Sequence, residues 1–260
     1  MKFHLLVPCL MAVQVLGQNY HLDIVTGSRK YDDSDGTFRA VLSGQKGSLE
    51  FGVLDNPNYN DFQLGAVDNF QMSSGKDLGK INCVTLQARG SKSDDAWMVD
   101  YIIVSKEEGS VTTHLYNTDG RYLSSDTSEG DDEKDFCRQG DATYTFEITT
   151  ANEKWADTDN IHARITVSSK GNRGNTTTGI LDNKGIDDFV LGNTDTFVIP
   201  DLKNVGKIGC VTLTAEQDDA WLFDTIKVTR GNQSKTFKNT GKVWLSSDLS
   251  EGVDYLEICQ

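Results

Sequence analysis

Two aspartates stand directly before a tryptophan in "SDDAWMVDYIIV" at 93–104, and again in "QDDAWLFDTIKV" at 217–228. The first stretch offers Asp94 and Asp95 ahead of Trp97, and the second offers Asp218 and Asp219 ahead of Trp221. An earlier acidic group accompanies each pair: Asp32, Asp33 and Asp35 in "KYDDSDGT", and Asp157 and Asp159 in "KWADTDN". Grouped carboxylates suit a hard cation, because calcium takes about six to eight oxygens from carboxylates, carbonyls and hydroxyls in flexible loops. Thr26 and Gly27 beside the first group, and Thr150 beside the second, add hydroxyl and carbonyl oxygens to the candidate set. The alternative is a set of solvated turn residues, since aspartate favours turns in any case. Recurrence at two places favours sites, with affinities in the millimolar regime of extracellular modules.

Aromatic residues accompany the acids in two ways. Trp97 and Trp221 open apolar runs (Met98-Val99 and Leu222-Phe223), so their indoles are expected in a core. Tyr31 and Trp155 instead sit inside the first acidic loops. An amphipathic ring there suits the headgroup boundary of a lipid surface, with local loop packing as the alternative.

Signals of catalysis are missing. The chain has no Gly-x-Ser-x-Gly elbow, no His-Glu-x-x-His and no phosphate-cradling glycine loop. His21, His114 and His162 fall at unrelated places, with His21 and His162 expected on strand faces. No catalytic residue is assigned.

The elements that position these residues come as a tandem repeat. "GKINCVTL" at 79–86 returns as "GKIGCVTL" at 206–213, and "YLSSDTSEG" at 122–130 as "WLSSDLSEG" at 244–252. "DFQLGAVDNF" at 61–70 returns as "DFVLGNTDTF" at 188–197. A period this long is a domain duplication and not a solenoid. Short stretches rich in β-branched and aromatic residues, such as "YHLDIV", "CVTLQA" and "YTFEIT", alternate with Gly, Asn, Asp and Ser. They predict an antiparallel all-β sandwich in each copy. The first copy is placed at 18–137, a short linker at 138–142 and the second copy at 143–260. So short a linker should restrict the mutual orientation of the two units.

Charge and cysteines bound the setting. With 25 basic and 39 acidic residues the net charge is −14, which repels nucleic acid and also an anionic membrane unless a cation intervenes. Residues 1–17, with Lys2 ahead of "FHLLVPCLMAVQVLG", read as a secretory signal cleaved before Gln18. That run is short of the roughly 20 residues that span a bilayer, and no transmembrane segment is expected. Cys9 would leave with the signal, leaving Cys83, Cys137, Cys210 and Cys259. Four cysteines allow about three pairings. The repeat makes Cys83–Cys137 and Cys210–Cys259 the simplest, against cross-pairing between copies or free thiols. Asn175 ("NTT") and Asn232 ("NQS") are glycosylation acceptors that would mark solvent-facing loops.

Within one copy the landmarks run in a specific order: a "YHLDIVTG" strand, an acidic loop ending "SDGT", then "LDN", "FQLGAVDNF", "DLGKI" and "DDAWMVD". This order resembles the PLAT domain family. The resemblance covers nearly all of the chain after residue 17, as two copies. The second copy departs from the family pattern at "TDNIHARITV", and the cysteine pair lies outside that pattern. The resemblance implies two tandem eight-stranded antiparallel β-sandwiches, no catalytic residue, and docking on lipid surfaces or extracellular protein partners with calcium held by the two acidic loops. The expected function is therefore a secreted, calcium-assisted binding protein. Two alternatives remain open: an acidic matrix or mineral-associated protein, and a secreted effector or venom component.

Overall fold

The structure is a computed structural model and describes residues 18–90, 96–106, 112–158, 162–169, 174–183, 185–216 and 219–260. The first unit contains β1 (Gln18–Thr26), β2 (Thr37–Gly44), β3 (Gly47–Val53), β4 (Val67–Ser74), β5 (Ile81–Arg89), β6 (Val99–Lys106), β7 (Thr113–Tyr116) and β8 (Glu133–Cys137). The second contains β9 (Ala142–Thr150), β10 (Ala163–Ser169), β11 (Asn175–Thr177), β12 (Thr194–Leu202), β13 (Ile208–Ala215), β14 (Phe223–Arg230), β15 (Gln233–Lys238) and β16 (Tyr255–Cys259). Each unit pairs two four-stranded antiparallel sheets. These are β4-β1-β6-β7 over β3-β2-β5-β8, and β12-β9-β14-β15 over β11-β10-β13-β16. The sheet order repeats between the units, and the fold is two tandem eight-stranded β-sandwiches.

The cores follow from the period-two alternation. Tyr20, Leu22 and Ile24 of β1, and Tyr144, Phe146 and Ile148 of β9, turn inward while their neighbours face out. Trp97 and Trp221 are fully buried. Trp97 packs against Phe38 and Phe62 at ring separations of 4.5 and 4.3 Å, and Trp221 against Phe189 at 4.6 Å. Each indole N–H donates to a threonine hydroxyl at the end of the first strand of its unit: Thr26 at 3.0 Å and Thr150 at 3.1 Å. A buried indole donor needs such a partner. The disulfides are Cys83–Cys137 and Cys210–Cys259, each between directly opposed residues of adjacent strands. Loops of 54 and 49 residues closed in this way stabilise by about 4 kcal/mol each in the chain-entropy account.

The two sandwiches lie side by side, and their contacts run in the same order along both. At one end Arg29 pairs with Glu216 at 3.2 Å, and the Ser28 hydroxyl meets the His162 ring at 2.5 Å. Next, Arg164 donates to the Asn117 carbonyl and pairs with Glu216. Tyr116 packs on the core of the second unit and against Gly179, where a Cβ would stand 2.9 Å from the ring. At the far end the His114 amide donates to Asp201 at 2.8 Å, and the linker's Gly140 amide donates to the Asp201 carbonyl at 3.0 Å. His162, expected on a strand face, stands just before β10, buried at this junction. Asp100 is also buried here: one carboxylate oxygen accepts the Ile180 amide and the other, among the described residues, is enclosed without a hydrogen-bond partner. Burial pushes its pKa up to about 7, against the opposing pull of Arg164.

Candidate functional site: the acidic rims

β1 and β9 end, and β6 and β14 begin, at the end of the pair marked by the Arg29–Glu216 contact. Both sets of acidic loops therefore open in the same direction. Sequence-local turn chemistry shapes each rim. The Asp32 amide closes a turn on the Arg29 carbonyl at 3.0 Å, and the Ala156 amide one on Glu153 at 3.0 Å.

The turns place Tyr31 and Trp155 alike. Both are 72 % exposed, with φ of 73° and 70°. The left-handed region is uncommon for a bulky aromatic. The preceding lysine ammonium lies 4.6 Å from the ring centroid in each case (Lys30 over Tyr31, Lys154 over Trp155). Leu64 and Leu191, equivalent in the two copies, are also exposed at these ends; Gly65 beside Leu64 donates to the Gly27 carbonyl at 2.9 Å.

The acids divide. Asp33 and Asp35 are exposed and, with Glu129, line a cleft of about 570 Å³ bounded by Tyr31, Tyr122 and Ala96. Ala96 directly follows Asp94 and Asp95, which lie outside the described residues. Asp32 points inward and is fully buried. Its carboxylate accepts from the Arg29 amide at 2.9 Å and the Tyr122 hydroxyl at 2.7 Å, with the Arg29 Nε at 3.4 Å. Burial first, and then this bond, push the Tyr122 phenol up to about 12, so it remains a donor across the physiological range. In the second copy Asp157 and Asp219 are exposed, and the Thr158 hydroxyl donates to Asp219 at 2.6 Å. Asp159 and Asp218 lie outside the described residues.

Three oxygens named from the sequence are engaged elsewhere. The hydroxyls of Thr26 and Thr150 hold the core indoles, and the Gly27 carbonyl accepts the Gly65 amide. Glu129 is the residue that sequence reasoning passed over. Its signal was present, because "SSDTSEG" returns as "SSDLSEG" with Glu251 in the same place. Exposed carboxylates on loops are the donor type that suits a hard cation, and among the described residues the cleft lining holds no thiolate or imidazole. Among the described residues, no three rim carboxylates bring oxygens within 4.8 Å of one another. The group among the described residues that meets that spacing, Cys210, Glu257 and Cys259, contains a disulfide.

Asn175 opens β11 with its side chain exposed, and so lies on a strand; Asn232 lies exposed in the turn between β14 and β15. No helix among the described residues is long and apolar enough to cross a membrane.

The sequence profile of the PLAT/LH2 domain matches residues 20–120 and 144–256. The chain belongs to the PLAT/LH2 domain family, as two tandem copies. It is 30 % identical over 93 residues to the allene oxide synthase-lipoxygenase protein of Plexaura homomalla, spanning 34 % of this chain and 9 % of that protein. Among solved structures, a coral 8R-lipoxygenase described as having calcium activation via a C2-like domain superposes with a TM-score of 0.40 at 20 % identity, over 47 % of this chain and 17 % of that one. A calcium-dependent 11R-lipoxygenase gives a TM-score of 0.32 at 20 % identity, over 47 % of this chain and 18 % of that one. The chain thus spans less than a fifth of each of these relatives.

Proposed function

We propose that this protein is a secreted, non-catalytic module that docks on phospholipid surfaces through both rims, with calcium as the bridge. The observation that carries this reading is the repeated exposure of Tyr31 and Trp155 on rims that open the same way, each beside exposed carboxylates. An exposed aromatic costs free energy in water and gains it at a headgroup boundary. Two such anchors on one chain reinforce each other through effective concentration.

Calcium supplies the missing charge. At net charge −14 the chain is repelled by anionic headgroups. A bound divalent ion would be the largest local charge and would reverse the field at the rim. Asp33, Asp35 and Glu129 would hold it in the first copy, completed by Asp94 and Asp95. Asp157 and Asp219 would do so in the second, completed by Asp159 and Asp218. Asp32 is left out of this set because its carboxylate is already held inward. The two disulfides and the N-glycosylation acceptors Asn175 and Asn232 support an extracellular setting.

Cosedimentation with phosphatidylserine-containing vesicles tests this reading. Binding should appear at millimolar calcium and be lost with chelator. Asp33→Asn/Asp35→Asn should weaken it by about tenfold or more while leaving the melting temperature in chelator unchanged. Binding that is equal with calcium and with chelator would overturn the calcium bridge.

A further inference from the structure

The contact between the two sandwiches is heterologous: β6–β7 and the first loop of one unit meet β10 and the segment after β11 of the other. Each unit carries both surfaces, because each is a copy of the other. One surface of each is therefore open. The second unit exposes its equivalent of the β6–β7 face, and the first unit exposes its equivalent of the β10 face. A heterologous contact that does not close on itself propagates.

The open surfaces retain the polar logic of the internal contact. Inside the chain, Arg164 reaches across toward Asp100 and the Asn117 carbonyl. The repeat gives Arg164 the counterpart Arg39 (opposite Gln87 as Arg164 is opposite Thr214), and Asp100 the counterpart Asp224. Arg39 and Asp224 are exposed and, among the described residues, form no ion pair. Arg29 pairs with Glu216 inside the chain. Their counterparts are Glu153 and Arg89, so both members have changed sign together and the pair stays attractive. Val53 is 48 % exposed, whereas its counterpart Ile180, seated in the internal contact, is 8 % exposed. Other positions run the other way: Lys238 takes the place of Tyr116, whose ring packs at the internal contact, and Lys242 takes the place of Gly120, with its ammonium already paired with Glu153. Glu153 would then lie between Lys242 and Arg89.

We infer that the chain associates head to tail with further copies of itself, the β14–β15 face of one molecule seating on the β2–β3 face of the next. The contact uses the faces equivalent to those of the internal one, and every rim in the row opens to the same side. The inference does not depend on what the rims bind. It would also explain why Arg29 and Glu216 exchanged signs as a pair at the internal junction: the exchange makes that junction distinct from the one between molecules.

Sedimentation velocity on the purified chain, at about 150 mM salt where screening sets in at about 8 Å, tests it. Wild type should move from monomer to a ladder of oligomers as concentration rises from micromolar to sub-millimolar. Arg39→Glu/Arg89→Glu and, separately, Glu153→Arg/Asp224→Arg should each weaken association by about a hundredfold or more. Neither changes a residue of the internal contact. Mixing the two variants should restore association, because each then faces a complementary partner. Restoration also shows that both variants are folded. The neutral Arg39→Gln/Arg89→Gln, checked by its melting curve, covers the case in which charge reversal impairs folding, and should weaken association by about tenfold. Wild type that stays monomeric throughout overturns the inference. So does association to which these variants are indifferent, or variants that are folded and monomeric alone yet fail to associate when mixed.

Discussion

At the residue scale, a side chain's exposure separates roles that its type leaves mixed. Trp155 and Trp221 are both tryptophans near acidic groups, yet one is 72 % exposed and the other is fully buried. Trp155→Ala should lower vesicle binding by about tenfold or more and leave thermal stability nearly unchanged. Trp221→Phe should do the reverse, costing about 1–3 kcal/mol in denaturant unfolding, since the cavity and the orphaned Thr150 hydroxyl fall in the core. The sequence distinguished these tryptophans, because one opens an apolar run and the other sits among turn residues. It carried a warning about Asp32 too: this residue aligns with Ala156, so it was never part of the repeated acidic pattern. Asp100 shows what was not legible. It reads as an ordinary strand aspartate, and its burial comes only from the neighbouring unit. Its folded pKa, raised by burial to about 7, exceeds the usual carboxylate range. The folded chain therefore holds the extra proton between that range and about 7, and stability falls as pH rises through the window. Asp100→Asn should flatten that part of the profile and gain about 1–3 kcal/mol at pH 8 relative to wild type. A wild-type slope retained in the variant would place the titration elsewhere.

At the element scale, the first loop shows how one fold carries two local solutions. In the first copy Gly27, Asp32 and Tyr122 form a polar set; in the second Ala151, Ala156 and Trp244 occupy the same places, and pack with Leu222 as a small apolar cluster. The exchange is coupled by space. A Cβ on Gly27 would stand 2.2 Å from the Asp32 carboxylate, whereas Ala151 has the small Ala156 in the place of that aspartate. Gly27→Ala alone should therefore cost about 2 kcal/mol or more. Gly27→Ala/Asp32→Ala should recover part of that loss, leaving the cost of the abandoned Arg29 and Tyr122 donors. Equilibrium unfolding of Gly27→Ala, Asp32→Ala and the double variant measures this coupling; strictly additive losses would show that the two sites do not share space. The strands themselves were legible because alternation and turn residues act locally. That Asp32 turns inward depends on Tyr122, 90 positions away, as well as on nearby Arg29, and local pattern is silent on the distant partner.

At the scale of the whole molecule, a duplication supplies two sites, and the junction decides whether they act together. The short linker implied a restricted orientation but not which faces meet; that is set by Arg29 with Glu216, Ser28 with His162 and Tyr116 with Gly179. The resulting alignment puts Tyr31 and Trp155 on the same side, so a lipid surface can engage both. The most direct measurement is the calcium-dependent affinity of the intact chain for phosphatidylserine vesicles, taken for wild type, Tyr31→Ala, Trp155→Ala and the double variant. Docking through both rims predicts that either single change lowers affinity by about tenfold or more, toward that of one rim alone, and that the double variant loses what remains. Wild-type affinity in the double variant, or single changes with no effect, would contradict it.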